Sequence, residues 1–452
     1  MTLPPQGRCA SVLLSRNRIR LFALSSEAPL SAFRNNGNER KSSTTSRQSR
    51  LIQHAGSPQP RFIAKSFSTS ASYTNNNNSD TINAPIDTTM EGNLRQTVTL
   101  RQRLTASYPW TTPPLIVAAP MRVMSGPQLA VAVSRAGGFG FIGPGLSPES
   151  TAADLETAKE LLASPENADW QQPGGTLLPI GVGFQLWDGD VDAAAAAVAR
   201  YRPAAVWLFA PRHGQADVDA WASRLRAASQ GTQVWLQVGT LREALDAVRG
   251  ASSRPDVLVV QGAEAGGHGR ASDGTGFVTL LPEIADATRG LGDGIPLVAA
   301  GGVADGRGVV AALGVGAAGV VMGTRFLASR EARIKKGYQD EVIRATDGGA
   351  NTVRTQLYNH LRGTFGWPDQ FSPRTIVNRS WVEHQAGTPF EEIKKRHDEA
   401  VSKGDVAWGP DGWTATYAGA NVGLIRSVDG ASDIVKTTRN EAQTIIQTLS
   451  GQ

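Results

Sequence analysis

The chain has 452 residues, 45 of them Lys or Arg and 40 Asp or Glu, with a single cysteine; that length suits one large domain or two ordinary ones. No apolar run reaches the roughly 20 residues of a membrane-spanning helix. The net charge of +5 does not argue for a nucleic-acid partner, because residues 1–79 hold eleven basic and two acidic side chains, a balance of +9, and leave −4 for the remainder.

Residues 1–79 are rich in Arg and Ser and poor in acids, the composition of an organelle presequence. The stretch SVLLSRNRIRLFAL (11–24) fits a basic amphipathic helix, and RFIAKSFSTS (61–70) resembles a mitochondrial processing site. The expectation is a mitochondrial matrix protein, or a cytoplasmic one if this segment is only a tail. Cys9 lies inside it, so processing leaves no cysteine for a disulfide, a thiolate metal site or a nucleophile. Asn75 to Asn78 reads as linker.

From residue 113 onward, short apolar runs alternate with longer amphipathic ones. Candidate strands lie at 115–118, 138–142, 178–184, 204–209, 233–238, 256–261, 295–300 and 318–322. They are apolar on both faces, as buried parallel strands are. Helical patterns between them include 127–135, 148–163, 190–201, 217–228, 241–249 and 306–313, with Asp190 and Asp217 as N-caps and Gly250 as a C-cap. Eight strand–helix units predict a (β/α)8 TIM barrel over residues 100–452. The competing doubly wound sheet carries its phosphate-binding glycines after the first strand. Here that strand ends in AAPM, and the glycine loops follow strands six, seven and eight.

Beyond strand eight, helices are expected at 331–346, 390–403 and 432–449. The intervening 350–425 segment is rich in aromatics, Gly and Pro. Its apolar residues are too scattered for a separate core, so it is expected to be an insertion capping the barrel mouth.

Three stretches bear on chemistry. AAGGV (299–303) and MGTRF (322–326) both close an apolar strand. Glycines there let backbone N–H groups approach an anion, a following helix adds its positive N-terminus, and Thr324 offers a hydroxyl. Together they predict a phosphate cup. QGAEAGGHGR (261–270) places His268 among glycines behind strand six. It reads either as a plain turn or as the wall of a cofactor site carrying a base.

AAPM, SRAGGFGFIG, QGAEAGGHG and AAGGVADGRGVVAALGVGAAGVVMGTRF, in this order, resemble the nitronate monooxygenase family, formerly the 2-nitropropane dioxygenases, over about residues 113–330. The enoyl-acyl-carrier-protein reductases that use FMN share the glycine–histidine loop. The resemblance implies an FMN-dependent barrel enzyme that oxidises alkyl nitronates, and with them nitroalkanes, using O2 to give carbonyl compounds and nitrite. It places Ala119, Pro120 and Met121 along the flavin ring and has Gly266 and Gly267 flank it. Gly301, Gly302, Gly323 and Thr324 then hold the phosphate, Met322 brackets the cup, and His268 is the base. Gln237, at the end of strand five, is a further candidate donor to the ring. Gly183 departs from the family, which often carries asparagine there.

An imidazole titrating near neutrality suits proton removal from a carbon acid. The alternative function is an FMN-dependent NAD(P)H oxidoreductase of the enoyl or quinone reductase type. No metal-ligand spacing appears, so no metal is expected. The expected partners are a small-molecule substrate and O2, without nucleic acid or membrane; oligomeric state stays open, a homodimer among the options. Tyr417, in TYAGANVGLI, is read as core packing more than as a site residue.

Overall fold

The computed structural model describes residues 90–167, 170 and 176–451. The expected presequence, Cys9 and the linker lie outside the described residues. In chain order the strands are β1 (Leu115–Ala118), β2 (Phe139–Ile142), β3 (Leu178–Gln185), β4 (Pro203–Phe209), β5 (Gln233–Val238), β6 (Val257–Gln261), β7 (Gly267–Arg270), β8 (Leu297–Ala300), β9 (Gly319–Met322), β10 (Thr352–Arg354) and β11 (Phe371–Ile376). All but β7, β10 and β11 close into a parallel barrel, with β1 pairing to β9 from Leu115 opposite Gly319 to Ala118 opposite Met322. This is the (β/α)8 architecture expected from the strand count.

Strand residues alternate between two apolar layers, which is why both faces read as hydrophobic. Ile116, Leu258, Val260 and Val320 face the helices, while Val117, Val259, Val298 and Val321 face the interior. The interior is filled by aromatic side chains: Tyr108, Phe139, Phe141, Trp207 and Trp235 pack with ring centroids 4.4–6.1 Å apart. The indole of Trp235 donates to the Tyr108 hydroxyl at 2.7 Å, which donates to Gln233 Oε1 at 2.6 Å. Tyr108 follows α1 (Met90–Ser107), a helix the sequence pattern did not reveal, and Leu104 of α1 is buried in the same interior cluster.

The surrounding helices are α2 (Pro127–Arg135), α3 (Pro148–Ala163), α4 (Val191–Tyr201), α5 (Gln215–Ala228), α6 (Leu241–Leu245), α7 (Phe277–Thr288) and α8 (Gly306–Gly314). Asp190 caps α4 as expected, accepting from the Asp192 and Ala193 backbone N–H groups at 3.0 Å. Asp217 does not cap α5. The helix starts at Gln215, and the Asp217 carboxylate reaches back to the Arg212 and His213 N–H groups at 2.8 and 2.7 Å.

The chain then makes α9 (Thr324–Leu327), α10 (Lys336–Arg344), α11 (Gly348–Asn351), α12 (Leu357–Leu361), α13 (Arg379–Gln385), α14 (Phe390–Val401) and α15 (Ala431–Ser450). The expected helix at 331–346 begins only at Lys336. Upstream, the Arg330 N–H is taken by the Asp429 carbonyl and the Arg333 N–H by the Met124 carbonyl. α15 packs against α8 and α2 and so fills the place of the eighth barrel helix. Its Arg439 guanidinium donates to the carbonyls of Ala136 and Gly137 at 3.0 and 2.8 Å. Residues 328–430 are therefore an excursion between the last strand and the last helix of the barrel. Its strands β10 and β11 join β7, from the loop after β6, in a small antiparallel sheet with His268 opposite Pro373. No helix among the described residues is long and apolar enough to cross a membrane.

Candidate active site

The C-terminal ends of the barrel strands carry the candidate residues, the end at which barrel enzymes build their sites. The Ala119–Met121 loop crosses the ends of β9, β3 and β2. The Ala119 N–H donates to the Met322 carbonyl at 3.1 Å, and the Met121 N–H donates to Ser125 Oγ at 2.8 Å. A Cβ on Gly183 would lie 2.5 Å from Pro120 Cβ. The glycine that departs from the resembled family is thus required by the seat of Pro120. Met322 is fully buried in the layer between strands and helices, and its carbonyl is spent on Ala119. It supports the loop from behind, with its side chain directed away from the barrel mouth.

The glycine loop is pinned rather than flexible. Arg354 donates to the carbonyls of Ala263, Ala265, Gly267 and Ser372, and Arg374 donates to the Ala263 carbonyl. Burial and the neighbouring Arg374 pull the Arg354 pKa down to about 10. A Cβ on Gly266 would come within 2.4 Å of the Ala418 and Gly419 backbone, so Gly266 is a point of contact with the returning tail. Gly267 differs: its φ is +66°, and a Cβ there would meet nothing within 4 Å. It presents bare backbone to open space.

Gly301 and Gly302 adopt φ of +89° and +80°, a region that favours glycine. Gly323 has only Ala119 Cβ and Met121 Sδ near a built Cβ, at 3.7 and 3.8 Å. The Thr324 hydroxyl accepts from the Gly419 N–H at 3.0 Å, which leaves its own proton free to donate. Gln237 Oε1 accepts from Trp207 Nε1 at 3.1 Å, whereas its Nε2 is buried with no partner among the described residues. An unsatisfied buried amide donor is destabilising by about 1–3 kcal/mol. Gln237 stands one residue before the C-terminal end of β5, the end at which barrel enzymes build their sites.

His268 sits on β7, where the sequence showed only a glycine loop. Its ring stacks on Trp367 with centroids 3.7 Å apart and planes 10° apart, and Tyr417 is 6.1 Å away. Nε2 faces the Asn359 amide, at 3.1 Å from Oδ1. Burial lowers the His268 pKa from 6.5 to about 3; the Asn359 contact opposes this, and Arg354, Arg362 and Arg122 reinforce it. The near-neutral titration expected of this imidazole is therefore not what its surroundings give: the ring is neutral, in a field made positive by three guanidiniums. Arg362 also donates to the Tyr417 hydroxyl at 3.0 Å. Arg122 reaches Gln185 Oε1 at 3.1 Å.

A family model described as nitronate monooxygenase matches residues 104–363. The chain belongs to the nitronate monooxygenase family. A "Nitronate monooxygenase npaC" from Metarhizium robertsii is 60% identical over 350 residues, 77% of this chain and 96% of that protein. A nitronate monooxygenase from Neurospora crassa is 36% identical over 363 residues, covering 77% and 94%. Two solved structures share the fold at 24% identity and a TM-score of 0.57. FabK from Thermotoga maritima covers 77% of this chain and 98% of its own. A nitroalkane oxidase from Streptomyces ansochromogenes covers 76% and 99%. In this nitronate monooxygenase family member, an oxidoreductase, the excursion supplies Asn359, Arg362, Trp367 and Tyr417 to the surroundings of His268. None of the four stands in a motif. Tyr417 was read from TYAGANVGLI as core packing more than as a site residue, and the structure puts its ring 6.1 Å from that of His268; for the other three the sequence signal was limited to the aromatic, glycine-rich character of 350–425.

Proposed function

We propose that the protein binds FMN at the C-terminal end of the barrel and oxidises alkyl nitronates with O2 to a carbonyl compound and nitrite. Gly301, Gly302, Gly323 and the Thr324 hydroxyl hold the phosphate, and the positive φ of the two adjacent glycines supports this by turning backbone toward the cup. Ala119 to Met121, Gly267 and the unpaired Gln237 Nε2 receive the ring. When bound, FMN supplies the electron transfer to oxygen.

The chain's own residues then select and orient the reactant. Arg122, Arg354 and Arg362 all act on His268, and the field they share favours an anion over a neutral molecule. A nitronate is already deprotonated and is drawn to that field. A neutral nitroalkane must first lose a carbon-bound proton to an imidazole whose pKa is about 3, which opposes that step. An anion in the site offsets the guanidiniums and raises His268, so the ring becomes a proton carrier once the anionic reactant is present. Trp367 and Tyr417 exclude water around it.

The observation that carries this reading is a half-buried histidine, stacked on Trp367 and subject to Arg122, Arg354 and Arg362, at the same end of the barrel as the unpaired amide donor of Gln237. The test is to purify the protein, release its chromophore by heat and determine its mass, then measure nitrite release from ethylnitronate and from nitroethane. FMN and a strong preference for the nitronate are expected. A colourless protein, or one that prefers the neutral nitroalkane, overturns the reading.

A further inference from the structure

Asn359 lies on α12, one turn after Gln356, and its side chain is 1% exposed. The two amides form a chain that starts at a backbone carbonyl. Gln356 Nε2 donates to the Phe371 carbonyl at 2.6 Å. A carbonyl only accepts, so this contact fixes which way the Gln356 amide points. Its Oε1 then faces Asn359 and accepts from Asn359 Nδ2 at 2.7 Å. That contact in turn fixes the Asn359 amide, with Nδ2 toward Gln356 and Oδ1 toward His268.

His268 Nε2 lies 3.1 Å from Asn359 Oδ1 and 3.0 Å from Asn359 Nδ2, so two tautomers compete. If Nδ2 donated to a bare Nε2, the buried Oδ1 would have no donor among the described residues. If Nε2 carries the proton, it donates to Oδ1, and Nδ2 keeps its bond to Gln356. The second arrangement leaves no buried acceptor unpaired, and an unpaired acceptor is destabilising by about 1–3 kcal/mol. The ring's other nitrogen, Nδ1, makes no hydrogen bond among the described residues. Stacking on Trp367 stops the ring from turning to exchange the two.

We propose that Gln356 and Asn359 are positioning residues that hold His268 in the Nε2–H tautomer, so that bare Nδ1 is the nitrogen that takes up a proton from solvent when the anionic reactant enters and donates to that anion as a hydrogen bond. The catalytic part of this statement rests on the nitronate reading above; the tautomer does not. A neutral amide serves here where a carboxylate would not. It orients the ring without adding the negative charge that would hold the ring protonated beside Arg122, Arg354 and Arg362.

The test is nitrogen-15 NMR on holoprotein labelled at histidine, reading which ring nitrogen carries hydrogen at pH 7. Wild type is expected to show a protonated Nε2 and a bare Nδ1 for His268. Gln356→Ala frees the Asn359 amide to turn, and the Nδ1–H form is expected to rise from undetected to about a tenth or more of the population. Asn359→Asp keeps the Nε2–H form and moves the acid limb of the kcat profile up by about one pH unit or more, with KM changed less than kcat. A His268 protonated at Nδ1 in wild type overturns the proposal. So does a tautomer ratio unchanged by Gln356→Ala together with an unmoved profile in Asn359→Asp. Failure of the nitronate reading registers separately, as absent FMN or absent nitrite with the tautomer signal intact.

Discussion

Acidification acts on His268 in a way that stability measurements can isolate. Burial lowers the ring's pKa to about 3 in the folded protein, while in the unfolded chain it titrates near 6.5. Between those values the unfolded chain binds a proton that the native protein does not. Stability therefore falls as pH drops through 6.5, and the loss levels off below about 3. At pH 5 the unfolded ring is about 1.5 units below its pKa; at about 1.36 kcal/mol per unit, folding is weaker by about 2 kcal/mol. His268→Gln removes this contribution. It leaves in place the carboxylates and His397, whose pKa burial also lowers. Urea unfolding followed by tryptophan fluorescence at pH 7 and pH 5 is expected to show wild type losing about 2 kcal/mol more than His268→Gln. Equal losses refute a ring held neutral by its surroundings.

Three further outcomes follow from the geometry. Gly183→Asn puts a Cβ 2.5 Å from Pro120 Cβ; denaturation midpoints should show a loss of about 1–3 kcal/mol, with reduced flavin content on purification. Gln237→Glu keeps the acceptor for Trp207 Nε1 but replaces the unpaired donor with an oxygen. The Kd for FMN, measured by fluorescence quenching, should rise about tenfold or more, equivalent to about 1.4 kcal/mol. Arg362→Gln weakens the field at His268: steady-state kinetics should show KM for an alkyl nitronate raised about tenfold and its salt dependence flattened, while KM for a neutral nitroalkane barely moves.

The barrel was legible because each strand is apolar on two faces, a pattern that parallel strands sealed by helices require. The expected 115–118 and 233–238 strands are β1 and β5 to the residue, and the other barrel strands differ by one or two positions at an end. The glycine loops at the ends of β8 and β9 were legible because AAGGV and MGTRF each close an apolar run. What surrounds His268 was not. β7 is Gly-His-Gly-Arg, with no alternation, and its partner β11 lies about a hundred residues away, so no local signal marks it as a strand. Asn359 lies in a five-residue helix and Gln356 at its N-cap, and their amides gain meaning only when folded against Phe371 and His268. α15 was expected as a helix, but that it completes the barrel ring depends on Arg439 reaching Ala136 and Gly137. The pKa of His268 was misjudged because sequence shows the imidazole but neither its burial nor Arg122, Arg354 and Arg362 around it.

Anaerobic stopped-flow mixing of the yellow holoprotein tests the account most directly. Ethylnitronate is expected to bleach the flavin absorbance within a turnover time, His268→Gln to slow that bleaching by about a hundredfold, and NADH or NADPH to leave the colour unchanged over the same interval. Rapid bleaching by a nicotinamide with no response to the nitronate contradicts the account and assigns the site to a hydride acceptor instead.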